Sequence, residues 1–347
     1  MNYQPRTPQP YGDNPFGFVY GDALTANVEN AVNVHPITYD AAGITVAANV
    51  YTPAGYREDG SYAGIVVGHP NGAVKEQAAG LYAQRLAQEG FVTIAFDAVT
   101  TGESGGEPRN RDIPYLRVED YRLAADVLST FPGVDASRLA MLGLCGGGGY
   151  ALSAAQIDKR FRAVAVVSMF NTGSVRREGF IKSQADSVLK RLHDVADLRA
   201  REAQTGELTY NANMGDMDPE VGHKLPFDMY REGYEYYVET HAHPRALSRF
   251  AQRDLMDLFA WDPDAFMYLV DQPLLMVVGE KADTAYMSES AFDAAVGTED
   301  KELYVVPGAT HVDLYWRPGM VDDALAKLTQ FFESRLKDCA VVLGTRP

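Results

Sequence analysis

Residues 138–156 read RLAMLGLCGGGGYALSAAQ: an apolar run, a cysteine, four consecutive glycines and a helix-prone tail. An apolar run that passes through glycines straight into a helix marks the end of a buried parallel strand and the start of its crossover helix. Glycines at such a join either let the backbone approach a phosphate or make room for a nucleophile. Gly146, Gly148 and Ala151 match the G-x-G-x-x-A phosphate spacing, but the next strand-like run, AVAVVS (163–168), ends in Ser168 with no acid to hold a ribose. Gly143-Leu144-Cys145-Gly146-Gly147 matches instead the cysteine form of the nucleophile elbow. There the residues two places either side must be small because strand and helix nearly touch, and Gly143 and Gly147 fill both places. A thiol at a helix N-terminus is expected to have a lowered pKa. A buried structural cysteine packed among glycines is the plainer alternative.

Working outward, NVHPITYD and ITVAANVYTP read as antiparallel neighbours, after which apolar runs alternate with helical periods. GIVVG (64–68), FVTIAFD (91–97), RLAMLGL, AVAVVS, PLLMVVG (273–279) and ELYVVPG (302–308) are apolar on almost every residue, as suits strands covered on both faces. The pattern predicts an α/β fold with a mainly parallel central sheet flanked by helices. Roughly a hundred residues between Ser168 and Leu274 show no clear strand, far more than a crossover needs. Their helical spacing, at Ala185, Val188, Leu192 and Val195 and again in FDMYREGYEYYVETHAHPRALSRFAQRDLMDLF, predicts an inserted helical cap. The expected organisation is an N-terminal arm over 1–30, a core over 31–170 and 271–347, and a cap over 171–270.

An elbow cysteine needs a histidine base and an orienting acid, in the chain order nucleophile, acid, histidine. Asp283, in GEKADTAYMSE, and His311, in VVPGATHVDLYW, each follow an apolar strand, at the sheet edge where open α/β folds bind ligands. Asp283 also stands where an N-cap would precede TAYMSESAFDAA. His241 and His243 form an H-x-H pair without a third ligand at a metal spacing, so no metal and no cofactor is expected. His69 is expected to shape its loop, Asp97 to order the loop it opens, and Tyr230, Tyr234, Tyr237 and Trp261 to line the pocket.

The 31 basic and 47 acidic residues leave a formal charge of −16, which argues against binding nucleic acid or an anionic membrane and for a small acyl substrate. The first residues lack the basic-then-apolar pattern of a secretory signal, no apolar stretch reaches membrane-spanning length, and Cys145 and Cys339 do not suggest a disulfide framework. A cytoplasmic protein, with an oligomer possible, is the expectation.

With GHPNGAVKEQAAGLYAQRLAQEGFVTIAFDAVTTGESGGEPR, GLCGGGGYAL, GEKADT and PGATHVDLYW in place, residues 30–338 resemble the α/β-hydrolases. The likeness is narrower still to the cysteine-type, dienelactone-hydrolase-like group of YcjY-like proteins and fungal polyketide transferases. The resemblance implies Cys145 as nucleophile, His311 as general base then acid, Asp283 as its orienter, and the Gly146 N–H as an oxyanion donor. A second donor is implied in the loop after GIVVG, at Asn71 or Gly72; Pro70 has no N–H. The expected activity is hydrolysis of an ester, thioester or lactone through an acyl-cysteine. Transfer of the acyl group to an alcohol or amine is the alternative, and a non-catalytic ligand receptor on the same fold a further one.

Overall fold

The computed structural model describes residues 2–336; Cys339 lies outside them. The strands are β1 (Tyr3–Pro5), β2 (Asn33–Ala41), β3 (Ile44–Thr52), β4 (Tyr62–Gly68), β5 (Val92–Phe96), β6 (Val134–Leu144), β7 (Phe161–Val167), β8 (Leu274–Gly279) and β9 (Lys301–Val306). They form one sheet in the order β1-β2-β3-β5-β4-β6-β7-β8-β9. From β5 to β9 every pair is parallel, whereas β1, β2 and β3 join antiparallel, β2 and β3 as the adjacent pair expected.

Helices α1 (Ala78–Gln88), α2 (Pro114–Thr130) and α3 (Gly146–Ile157) accompany the first part of the sheet. Between β7 and β8 no strand joins the sheet; that segment holds α4 (Thr172–Glu178), α5 (Val188–Thr205), α6 (Pro219–Gly222), α7 (Asp228–Tyr234) and α8 (Leu255–Ala260). The chain then continues through α9 (Ala285–Ala294), α10 (Asp313–Trp316) and α11 (Pro318–Leu336). β5 and β8 are buried at every residue, the consequence of helices on both faces.

The long helix-prone stretch from Phe227 is not one helix. α7 widens into a π turn over Glu235–Thr240, and no helix resumes until after Ala251. Pro244 is the local reason, since it removes a donor and pushes His243 out of helical backbone.

β6 is central, between β4 and β7. Its C-terminal end therefore faces the loops that leave both neighbours. The N-terminal residues are tied to this body: β1 pairs with β2, and Arg6 bonds the Asn49 side chain at 2.7 Å. No helix among the described residues is long and apolar enough to cross a membrane.

Candidate active site

Cys145 lies between β6 and α3 with φ 54° and ψ −123°. Such a backbone costs roughly 1–3 kcal/mol in a non-glycine residue and persists only where its surroundings enforce it. The Cys145 N–H donates to the Val167 carbonyl at 3.0 Å, and its carbonyl accepts from Phe170 N–H at 3.0 Å and Gly148 N–H at 2.8 Å. The flanking glycines are required by space. A Cβ on Gly143 would lie 2.5 Å from the Gly147 carbonyl oxygen, and one on Gly147 would lie 2.5 Å from that of His69. The glycines thus serve a close strand-to-helix join.

The thiol is buried, and burial pushes its pKa up to about 11, although a thiolate there would accept hydrogen bonds from Tyr315 and from the backbone N–H groups of Gly146 and Asn71. This corrects the expectation of a lowered pKa: desolvation of the thiolate outweighs the helix N-terminus. Of the two residues considered for the second donor, Asn71 offers its N–H to the sulfur. Gly72, with φ 76°, packs against the Ser248 backbone. The Asn71 side chain covers Gly146, where a Cβ would meet its Oδ1 at 2.3 Å, and its Nδ2 donates to Thr172 Oγ1 at 2.8 Å.

His311 follows β9 and is fully buried. Its Nε2 is 2.9 Å from the Tyr315 hydroxyl, which is also a hydrogen-bond partner of the Cys145 thiol. Tyr315 thus stands between nucleophile and base. His311 Nδ1 is 2.6 Å from Thr284 Oγ1, and its carbonyl accepts from Ser168 Oγ at 3.0 Å. Burial takes its pKa down to about 3, so the imidazole is neutral.

Asp283 is not brought onto His311. Its Oδ2 accepts from the Met229 N–H at 3.1 Å, in the first turn of α7, where a helix N-terminus favours an anion; its Oδ1 has no partner. Tight turns after β8, with Ala282 N–H on Gly279 O and Ala285 N–H on Ala282 O, leave Thr284 buried and Asp283 half-exposed. Nor does Asp283 cap α9, whose N-cap is Thr284. Tyr315 and Thr284 went unremarked in the sequence. The signal for Tyr315 was its place four residues after His311; that for Thr284 was adjacency to the expected acid.

A cleft of about 1160 Å³, its solvent mouth included, opens onto Cys145. Tyr230 and Tyr237 line it, as expected. Tyr234 and Trp261 do not: Tyr234 packs against Gly222 and His223, and Trp261 lies tilted against Tyr150 with ring centroids 4.7 Å apart. Helical spacing alone could not tell which side of the segment these rings face.

Beside the cleft lies a buried ionic cluster. Lys75 Nζ donates to Glu76 at 2.6 Å and to Asp97 and Glu103 at 2.7 Å each. The three carboxylates come within 4.8 Å of one another, as a metal site would require, but the ammonium occupies the position between them. Asp97 also accepts from Lys75 N–H and Glu103 N–H, both at 2.8 Å, so it orders its loop as expected. His69 does likewise: its Nδ1 lies 2.8 Å from Pro70 O and its Nε2 accepts from Ala98 N–H. His241 stacks on Tyr236 while His243 packs against Tyr11, so the pair converges on no site.

The family described as PETase: PET hydrolase-like matches residues 24–188. The YcjY protein of Escherichia coli strain K12 is 37% identical over 297 residues, 84% of this chain and 95% of its own. A thiohydrolase from Eupenicillium brefeldianum is 26% identical, over 75% of this chain and 82% of its own. The crystal structure of PA2218 from Pseudomonas aeruginosa superposes with a TM-score of 0.80 at 33% identity, covering 90% of this chain and 96% of that one. The chain therefore belongs to the α/β-hydrolase superfamily, in the group that contains YcjY and PA2218.

Proposed function

We propose that the chain hydrolyses an ester, thioester or lactone through an acyl-cysteine on Cys145. The observation that carries this reading is the strained elbow, with the Gly146 and Asn71 N–H groups on the sulfur and Tyr315 and His311 behind it. The name of the fungal thiohydrolase relative agrees with thioester chemistry.

In the resting site both reacting groups are neutral, so the thiolate forms only as substrate is attacked. The thiol proton passes to Tyr315 Oη as the Tyr315 proton passes to His311 Nε2, while Nδ1–H stays on Thr284 Oγ1. Sulfur bonds to the carbonyl carbon, and the oxyanion takes the two N–H groups that faced the sulfur. The leaving oxygen or sulfur departs with the proton returned from His311 through Tyr315. Water, deprotonated by the same route, adds to the thioester, and the carboxylic acid leaves as the thiol regains its proton. Thr284, rather than Asp283, orients the imidazole in this scheme, and the segment over 171–270 acts as a cap that closes the acyl pocket.

Cys145 and His311 are both shielded from water, which favours the second reading, transfer of the acyl group to an alcohol or amine. Nitrophenolate release from p-nitrophenyl esters, with and without an added alcohol, tests both. Turnover that needs Cys145 is expected, and a Cys145→Ala protein as fast as wild type would overturn the scheme. An alcohol-dependent ester product forming faster than the acid would select transfer.

A further inference from the structure

We propose that Arg176 is the specificity-determining residue of this cleft and that it holds a carboxylate carried on the acyl part of the substrate. The inference names a substrate class for the site just described and rests on that reading only for its kinetic test.

Four arginines line the cleft, and two of them face a carboxylate partner. Arg111 forks onto Asp254, with Nε at 2.8 and 3.0 Å and Nη2 at 2.6 Å, and Arg117 lies 3.7 Å from Asp120. Arg176, on α4, makes no ion pair with any described carboxylate, and its Nε is buried without an acceptor. Its guanidinium carbon lies 4.6 Å from the Phe250 ring centroid, an arrangement that fixes the plane and leaves the edge free to donate. Asp112, which also lines the cleft, feels the charge of Arg176 but accepts from Tyr150 Oη at 2.8 Å, and burial raises its pKa.

The Nε of this partly exposed guanidinium is withdrawn from water without an acceptor, which is unfavourable, and a carboxylate taken bidentately relieves this. The charge is not a remnant of a basic surface, because the chain as a whole carries −16. It reaches Cys145 and Tyr230, which places the anion in the same pocket as the acyl group. At the mouth the exposed Arg249 stacks over Tyr210 at 5.1 Å, also without an ion pair among the described residues. A carboxylate entering the cleft thus meets cations at the rim and within. Half-esters and half-thioesters of dicarboxylic acids fit this arrangement, since the Arg fork takes a carboxylate through two parallel N–H bonds.

The test is calorimetric titration of the Cys145→Ala protein, which binds without turnover, with monomethyl glutarate and monomethyl adipate against their dimethyl esters. At least one monoester should bind about tenfold or more tightly than its diester. The gap should vanish in Cys145→Ala/Arg176→Met and return in part with Arg176→Lys; circular dichroism confirms that each variant is folded. Equal binding of monoester and diester, or a preference that survives Arg176→Met, would overturn the inference. So would Arg176-dependent binding of 4′-phosphopantetheine without any monoester preference, since the anion would then belong to the carrier. In parallel, wild-type kcat/KM for a p-nitrophenyl glutarate half-ester should exceed that for p-nitrophenyl butyrate. A binding preference with no Cys145-dependent turnover would contradict the acyl-cysteine mechanism and leave the Arg176 assignment standing.

Discussion

Two polar groups of residues are buried at the same end of the sheet, and they meet burial in opposite ways. Around Cys145 the reacting groups are neutral: burial lifts the thiol to about 11 and drops His311 to about 3. Around Lys75 the charges of Lys75, Asp97 and Glu103 persist. Burial alone would raise Asp97, but the Lys75 charge and the hydrogen bonds from Lys75 and Glu103 bring it down to about 2. Glu76, with one carboxylate oxygen unpartnered, stays raised by burial. Lys75, Arg6 and Arg245 offer three cations to the three carboxylates. The difference is one of partners: a buried ion survives where opposite charge and hydrogen bonds surround it, and otherwise the group becomes neutral. The neutral site remains reactive, while the ionic one fixes the loop that carries Asn71, through Lys75 N–H on Asp97.

The comparison breaks most visibly at its reactive member. Cys145→Ala should lower turnover of p-nitrophenyl esters by about 10,000-fold, because no other nucleophile occupies the elbow. On the ionic side, Lys75→Met leaves three acids buried without their shared cation and should destabilise the fold by about 3–5 kcal/mol in urea unfolding. A loss under 1 kcal/mol would mean that the cluster is hydrated rather than dry.

Smaller effects separate the residues around His311. Tyr315→Phe and Thr284→Val should each lower kcat by about 10- to 100-fold, the first by breaking the proton route and the second by freeing the ring. Asp283→Asn should cost less than about tenfold, since its carboxylate serves α7 rather than the imidazole. The reverse order would restore Asp283 as the orienter.

The smallest effect is a slope near zero. His311 accepts a proton only below about pH 3, and Cys145 loses its own only toward about pH 11. kcat/KM should therefore be level from about pH 5 to 9, whereas a preformed imidazolium–thiolate pair would give a limb near neutrality.

The parts legible in the sequence were those dictated by backbone. Gly143 and Gly147 had to be small for strand and helix to touch, and the apolar runs became strands covered on both faces, except ELYVVPG, whose strand β9 lies at the sheet edge with Val305 exposed. What escaped depended on direction and depth. Asp283 and Thr284 are adjacent in the chain, and only the turns after β8 decide which faces His311. The thiol's place at a helix N-terminus was legible, but the desolvation that outweighs it was not. Tyr234 and Trp261 shared the aromatic character of Tyr230 and Tyr237, yet they face the packing side. Arg176 was invisible as a special residue because its isolation from carboxylates is a property of the fold.

The central claim, a covalent acyl group on Cys145, is tested most directly by intact mass of wild type and Cys145→Ala after brief exposure to p-nitrophenyl and thioester substrates. The account predicts a single acyl increment on wild type, located at Cys145 by peptide mapping and absent from the variant. An unmodified wild type that nevertheless turns over, or an adduct that survives Cys145→Ala, would contradict it.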